Sequence, residues 1–206
     1  MKDSNKYSFA RYNYIERWIS YWHQINEVNY LKPDQILEIG PGNKFVTDYL
    51  ISLGYKIKTL DINQNNRPDV VGSVLELPFT DNSFDLILCS EVLEHLPFSK
   101  FKQALGELER VSKKYVVLSL PYWGWLFYFK IKVPFLKNIK VYFKLSGVKK
   151  HKLGGEHLWE IGKIGYPLKK INFLIKEQKF KIIKEYLDPD SPYHHFFILE
   201  KIEKTI

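Results

Sequence analysis

The apolar run Ile36–Ile39 ends in Gly40-Pro41-Gly42, and an amphipathic segment opens directly after it (ILEIGPGNKFVTDYL, residues 36–50). A short apolar run before a turn reads as a buried strand. Phe45, Val46, Tyr49, Leu50 and Leu53 then recur with helical spacing, and Gly54 follows as a C-cap. Glycines at such a junction reach backbone conformations closed to other residues, and without a Cβ they let a ligand approach the main chain. The helix behind them starts with unpaired N–H groups. This one feature predicts an α/β sheet whose ligand site lies beyond the carboxyl end of its first strand.

The rest of the chain repeats the pattern. Residues 57–62 (IKTLDI), 69–71, 84–89 (FDLILC) and 115–120 (YVVLSL) read as strands, and the apolar 84–89 suits a strand covered on both faces. Apolar residues at 12, 15, 18, 19, 22 and 25 share one face of an N-terminal helix. Phe98, Phe101, Leu105, Leu108 and Val111 form another helical stripe, and Pro167 opens a helix over PLKKINFLIKEQ. Residues 180–187 and 194–202, joined through DPDSP, close the chain as an antiparallel pair. The expectation is one α/β domain over residues 1–206 with a seven-stranded, mostly parallel sheet, helices on both faces and a C-terminal antiparallel hairpin. Residues 1–30 form a helical cap and residues 122–165 an insertion.

With 206 residues, 45% apolar and 26% charged, the composition is that of one soluble globular domain. One cysteine, Cys89, excludes an internal disulfide framework. The opening MKDSNKYSFARYNY has no apolar signal region, and the longest apolar-aromatic run, 122–129, is far short of a membrane span. A cytoplasmic address is the expectation. The net charge of +8 equals the eight lysines 130, 132, 137, 140, 144, 149, 150 and 152, in a segment with no Asp or Glu. Such a patch attracts phosphates, nucleic acid or anionic lipid; the bland alternative is a solvated lysine-rich surface.

Two cofactor types use a glycine turn of this kind, dinucleotides and S-adenosylmethionine (SAM). The dinucleotide pattern G-x-G-x-x-G matches at Gly40 and Gly42 but meets Phe45 at its third position. Asp61, 21 residues after Gly40, ends the second strand, where a carboxylate can accept both ribose hydroxyls of either cofactor.

LEIGPGN (37–43), LDI (60–62), VVGSVLELPFTDNSFDLILCSEVLEHL (70–96) and ELERVSKKYVVLSLPY (107–122) together resemble class I SAM-dependent methyltransferases. The likeness is nearest to the small-molecule group that includes the ubiquinone and menaquinone biosynthesis enzymes. It implies a Rossmann-like fold, SAM as cofactor and S-adenosylhomocysteine as product. Glu38, Gly40, Pro41 and Gly42 would border the methionine moiety, Asp61 would hold the ribose, and Ile62, Ser73 and Val74 would meet the adenine. Cys89, Ser90 and Glu91 would line the passage to the acceptor. Two positions depart from the common pattern: Ser73 stands where Asp is frequent, and Lys44 where many members have a third glycine.

Methyl transfer from SAM asks mainly for alignment, with a general base where the acceptor is a hydroxyl. His95, after the fourth strand, and His157, in GGEHLWEIG, are the candidate bases. Tyr122, His157 and Trp159 are candidate substrate contacts, because alternate extended residues would put His157 and Trp159 on one side. Packing roles compete with each of these readings. His194 and His195 would point to opposite faces of a strand, no other spacing suits zinc, and no metal is expected. The segment 122–152 falls where this family commonly inserts a substrate cap. Its aromatics and lysines suit a lipid-like acceptor at an anionic membrane or stacked bases with phosphates; the plain alternative is a small helical lid. A small-molecule acceptor leads, ahead of an RNA methyltransferase, a SAM-fold protein that binds without turnover and a nicotinamide oxidoreductase.

Overall fold

The computed structural model describes Tyr12 and residues 14–131, 139–152 and 155–202. Most of the first part of the expected cap, and residues 132–138, 153 and 154 of the expected insertion, lie outside the described residues.

Strand β1 (Gln35–Ile39) leads through the glycine turn into helix α2 (Phe45–Ser52), and helix α1 (Ile15–Leu31) precedes both. Then come β2 (Lys56–Asp61), β3 (Val70–Val71), β4 (Phe84–Ser90), helix α3 (Phe101–Val111) and β5 (Ser112–Pro121). Strands β6 (Trp125–Ile131) and β7 (Ile139–Leu145) form a separate hairpin. Helix α4 (Leu168–Glu177), β8 (Phe180–Asp188) and β9 (Ser191–Lys201) complete the chain.

The main sheet has seven strands in the order β3-β2-β1-β4-β5-β9-β8. Pairings from β3 to β5 are parallel, and β9 runs antiparallel to both neighbours. This is the expected mostly parallel sheet with its antiparallel pair at one edge. Alternation along each strand builds two cores. Ile36, Leu86, Leu88, Val117 and Ile198 pack against α1 and α2 on one face. Leu37, Ile39, Ile87, Cys89, Val116, Leu118 and Phe197 pack against α3 and α4 on the other.

The expected helix over 98–111 starts as a single 3-10 turn, Phe98–Lys100, before α3 proper. The larger correction concerns residues 122–152. The segment is no helical lid, because β6 and β7 pair in register from Trp125↔Leu145 to Ile131↔Ile139. Tyr142, Lys144, Lys130 and Lys140 face the body of the protein. Tyr142 donates to Leu187 O, and Lys144 Nζ donates to the carbonyls of Tyr122 and Pro192. Lys140 sits 2.7 Å and Lys130 3.5 Å from Asp190. The alternate positions Trp125, Phe127, Phe129, Ile131, Ile139, Val141, Phe143 and Leu145 are all exposed. The hairpin is therefore amphipathic in reverse, polar inward and apolar outward.

Candidate functional site

The chain runs outward from β1 to β2 and β3, then returns to β4 on the other side of β1. Loops leaving β1 and β4 therefore diverge and open a cleft at their carboxyl ends. Its volume of about 780 Å³ is within the usual range for a cofactor or small-molecule pocket.

The glycine turn forms one wall. Gly40 (φ +69°) lies under Val92, and a Cβ there would stand 2.5 Å from Val92 Cγ2. Gly42 is also left-handed (φ +57°), and so is Lys44 (φ 61°, ψ 12°), which is the N-cap residue of α2. The position where the resemblance implied a third glycine is thus a left-handed one, adopted here by a lysine at a cost of roughly 1–2 kcal/mol. Asn43 offsets part of that cost: its Oδ1 accepts from the Phe45 N–H at 3.1 Å and the Tyr21 hydroxyl at 3.2 Å. Phe45 turns its ring toward α1, stacked on Tyr21 at 5.1 Å and edge-on to Trp18 at 4.6 Å. A phenyl ring there does not obstruct the contact between helix and strand.

Beneath the turn, Glu38 accepts from Thr47 Oγ1 at 2.5 Å; burial raises its carboxyl to about 7. It borders a smaller recess shared with Arg17, Gly40, Pro41, Ser90 and Glu91. Asp61, at the end of β2, accepts from the Asn63 N–H and the Asn66 side-chain amide, both at 2.8 Å. Asp61, Ile62, Ser73 and Val74 line the far end of the cleft. Ser73 Oγ accepts from the Leu75 N–H at 3.2 Å. Ser90 Oγ is buried in the cleft and has no hydrogen-bond partner among the described residues, an orphaned group of the kind a ligand satisfies.

At the opposite end, β4 stops at Ser90, and Glu91 follows it, a non-glycine residue in left-handed conformation (φ 55°). Its side chain accepts from Ser119 Oγ at 3.0 Å, and burial lifts its carboxyl to about 7. Strained backbone of this kind gathers at functional sites. The 3-10 turn Leu93–His95 follows, bringing His95 to the cleft wall beside His157. The two rings meet edge to face, with centroids 5.0 Å apart. Glu94 lies behind them, wholly buried, and burial followed by the nearby Glu91 holds its carboxyl well above the usual carboxylate range.

Gly40, Gly42, Asp61, Ile62, Ser73, Val74, Ser90, Glu91, His95 and His157 thus share one cleft, with Glu38 and Pro41 in its recess. Three expected residues do not. Cys89 faces the α3–α4 core, where burial pushes its thiol up. Trp159 is fully buried against Phe98 and Phe101, its indole N–H donating to Leu96 O at 3.0 Å. Tyr122 packs edge-on against His195 at 5.3 Å, outside the cleft wall. His194 and His195 take opposite faces of β9, as expected: the first bonds Ser191 and the second Glu185. Tyr12, Tyr14, Arg17 and Tyr193 also line the cleft and were not singled out in the sequence. The aromatic character of residues 12–22 was the available signal for the first three.

Residues 37–119 match a family model described as a methyltransferase domain. An uncharacterized protein of Methanocaldococcus jannaschii is 35% identical over 85 residues, 38% of this chain and 36% of that one. A protein of Encephalitozoon cuniculi, named as a candidate methyltransferase, is 33% identical over 100 residues, 46% of this chain and 48% of that one. The chain thus spans half or less of the curated relatives it matches. Among solved structures, the Burkholderia thailandensis 1,6-didemethyltoxoflavin-N1-methyltransferase, with its substrate and S-adenosylhomocysteine bound, superposes with a TM-score of 0.62. It is 15% identical, and the match covers 91% of this chain and 81% of that one. The fold is the Rossmann-like methyltransferase fold.

Proposed function

We propose that this protein is a SAM-dependent methyltransferase acting on a small-molecule acceptor that is apolar or lipid-linked. The observation that carries the cofactor half is the cleft itself. A left-handed Gly40–Gly42 turn, a carboxylate ending β2 and an orphaned Ser90 hydroxyl converge where the loops leaving β1 and β4 diverge. The methyltransferase-domain match over residues 37–119 covers the same elements. Bound SAM supplies a methyl group on a sulfonium that is already an activated leaving group.

The residues of the chain supply position. Glu38 takes the amino end, the Gly40–Gly42 backbone accommodates the methionine moiety and Asp61 accepts from the ribose hydroxyls. Ile62, Ser73 and Val74 meet the adenine. Alignment of this sort contributes roughly 7–11 kcal/mol. At the acceptor end Glu91, His95 and His157 line the cleft together, so a proton leaving an acceptor hydroxyl has a base within reach.

The exposed apolar face of the β6–β7 hairpin supports an apolar acceptor reached at a membrane surface. The lysines argue less for RNA than their number suggests, since Lys130, Lys140 and Lys144 are engaged inward. The test is to incubate the protein with methyl-labelled SAM and a deproteinised cell extract, then separate organic-soluble, aqueous small-molecule and RNA fractions. Label in the organic-soluble fraction is expected. Label confined to RNA contradicts the acceptor class, and no transfer to any fraction contradicts turnover.

A further inference from the structure

Cofactor binding leaves one buried feature without a purpose. Glu94 is fully buried, and among the described residues neither of its carboxylate oxygens has a hydrogen-bond partner. The Nε2 atoms of His157 and His95 stand 3.8 Å and 3.9 Å from its Oε1. Both imidazoles are oriented through their other nitrogen. His95 Nδ1 is 2.8 Å from the Glu156 carbonyl, which can only accept, so Nδ1 carries the proton. The Tyr193 hydroxyl has one proton to give and gives it to Glu160 Oε1 at 3.2 Å; His157 Nδ1, 3.1 Å from the same phenol oxygen, therefore donates. When neutral, each ring carries its lone pair on Nε2, on the side of Glu94. Two ring nitrogens and a buried carboxyl then converge, a donor set that one cation can bridge.

We infer that Glu94, His95 and His157 form a binding site for one divalent metal ion of the Mn²⁺, Fe²⁺, Co²⁺ or Zn²⁺ class. The three donor atoms lie within 4.8 Å of one another. Tetrahedral ligands about 2.1 Å from an ion stand roughly 3.4 Å apart, so the 3.8 and 3.9 Å distances from Glu94 close with shifts of about half an ångström, and two nitrogens up to 4.8 Å apart close with shifts of under about 1 Å each. Imidazoles anchored through Nδ1 to a carbonyl, or to a phenol and carboxylate, are the outer-shell pattern of metal-ligating histidines. Two nitrogen donors disfavour Mg²⁺, which prefers oxygen ligands throughout. Three protein ligands leave a position open toward the cleft. This proposal departs from the sequence expectation of no metal, since adjacent Glu94 and His95 and a distant His157 make no recognisable ligand spacing.

What the ion does rests on the methyl-transfer reading. An acceptor hydroxyl in the open position becomes more acidic and gives its proton to Glu91 or to water. The oxygen's electron pair forms the new bond to the methyl carbon as the methyl–sulfur bond breaks and leaves its pair on sulfur. The ion's oxidation state does not change.

The test uses the full chain, freed of metal by a chelator. Mn²⁺ is titrated by following the EPR signal of the free ion, and Zn²⁺ by calorimetry, with and without S-adenosylhomocysteine. One ion per chain is expected, bound in the micromolar range or tighter and weakened at least tenfold in Glu94→Gln and in His157→Ala. Circular dichroism melts check folding. If the buried Glu94 variant does not fold, His157→Ala and His95→Ala decide, since both side chains are partly exposed. No binding below millimolar ion, or equal binding in all folded variants, overturns the site. Failed ion binding with S-adenosylhomocysteine still bound removes the ion and leaves the methyltransferase reading standing. The reverse result sinks that reading and keeps the site.

Discussion

Val92 covers Gly40 so closely that a Cβ added to the glycine would stand 2.5 Å from Val92 Cγ2, at a backbone φ of +69°. Steric and conformational demands therefore coincide at a residue that lines the cleft. Gly40→Ala is predicted to lose about 2–4 kcal/mol of stability, from left-handed strain and overpacking together. Adding Val92→Ala should return the overpacking part and leave the strain. Urea unfolding of the two variants measures this; a double variant no better than the single one contradicts the packing account.

Lys44→Gly tests the left-handed N-cap from the other direction. Removing the Cβ relieves roughly 1–2 kcal/mol of strain, while the added freedom of the unfolded chain costs about 0.5–1 kcal/mol. A net gain of ~0.5–1 kcal/mol is expected in urea unfolding. A loss would mean that the lysine side chain holds the entry to α2.

Glu38 gives the cleft a pH signature. Burial raises its carboxyl to about 7 from an ordinary 4.5, so the folded protein holds that proton more tightly than the unfolded chain. Its contribution to stability is therefore present at low pH and is lost as pH rises from about 4.5 to about 7. Binding an amino cation requires the carboxylate. S-adenosylhomocysteine affinity should accordingly strengthen as pH rises toward 7, with proton release detectable by calorimetry in buffers of different ionisation enthalpy. Glu91 titrates in the same range and faces the same cleft, so Glu38→Gln should flatten the profile in part and Glu91→Gln remove the rest. An unchanged profile in Glu38→Gln contradicts its contact with the amino group.

Trp159 and His157 separate packing from site. Trp159→Ala empties a core position among Phe98, Phe101 and Tyr166 and should cost about 3–5 kcal/mol. His157→Ala, at the cleft wall, should change stability by under about 1 kcal/mol. Equal losses in denaturant unfolding would contradict the assignment of the two residues to different environments.

The outward face of the β6–β7 hairpin predicts membrane association. Wild-type protein should float with vesicles containing anionic lipid, and the double variant Phe127→Ser/Phe143→Ser, which breaks a stacked pair 4.6 Å apart, should remain in solution. Flotation of both, or of neither, contradicts the membrane-surface reading.

The centre of the main sheet was legible because β1, β4 and most of β5 are buried on both faces and read as short apolar runs, with helices of 3.6-residue periodicity after β1 and before β5. The hairpin was not. Its outward side chains are aromatic and aliphatic, and Leu126, Tyr128 and Tyr142 on its inner face are apolar or aromatic as well, which hides the two-residue alternation. Trp159 was misassigned because extended alternation was assumed for residues 157–159. The chain bends there, and the indole N–H finds its partner in Leu96 O. Gly40, Gly42 and Asp61 were legible because each follows a readable strand. The meeting of Glu94, His95 and His157 depends on where the loop after β5 returns, and no local pattern carries that information.

The most direct test of the account is calorimetric titration of the purified protein with SAM, S-adenosylhomocysteine and NADH, with Asp61→Ala as control. The account predicts one site in the micromolar range for SAM and S-adenosylhomocysteine and none for NADH. Loss of two hydrogen bonds from ribose to carboxylate should weaken the variant roughly 100-fold. Binding of NADH alone, or of no nucleotide cofactor, would contradict it.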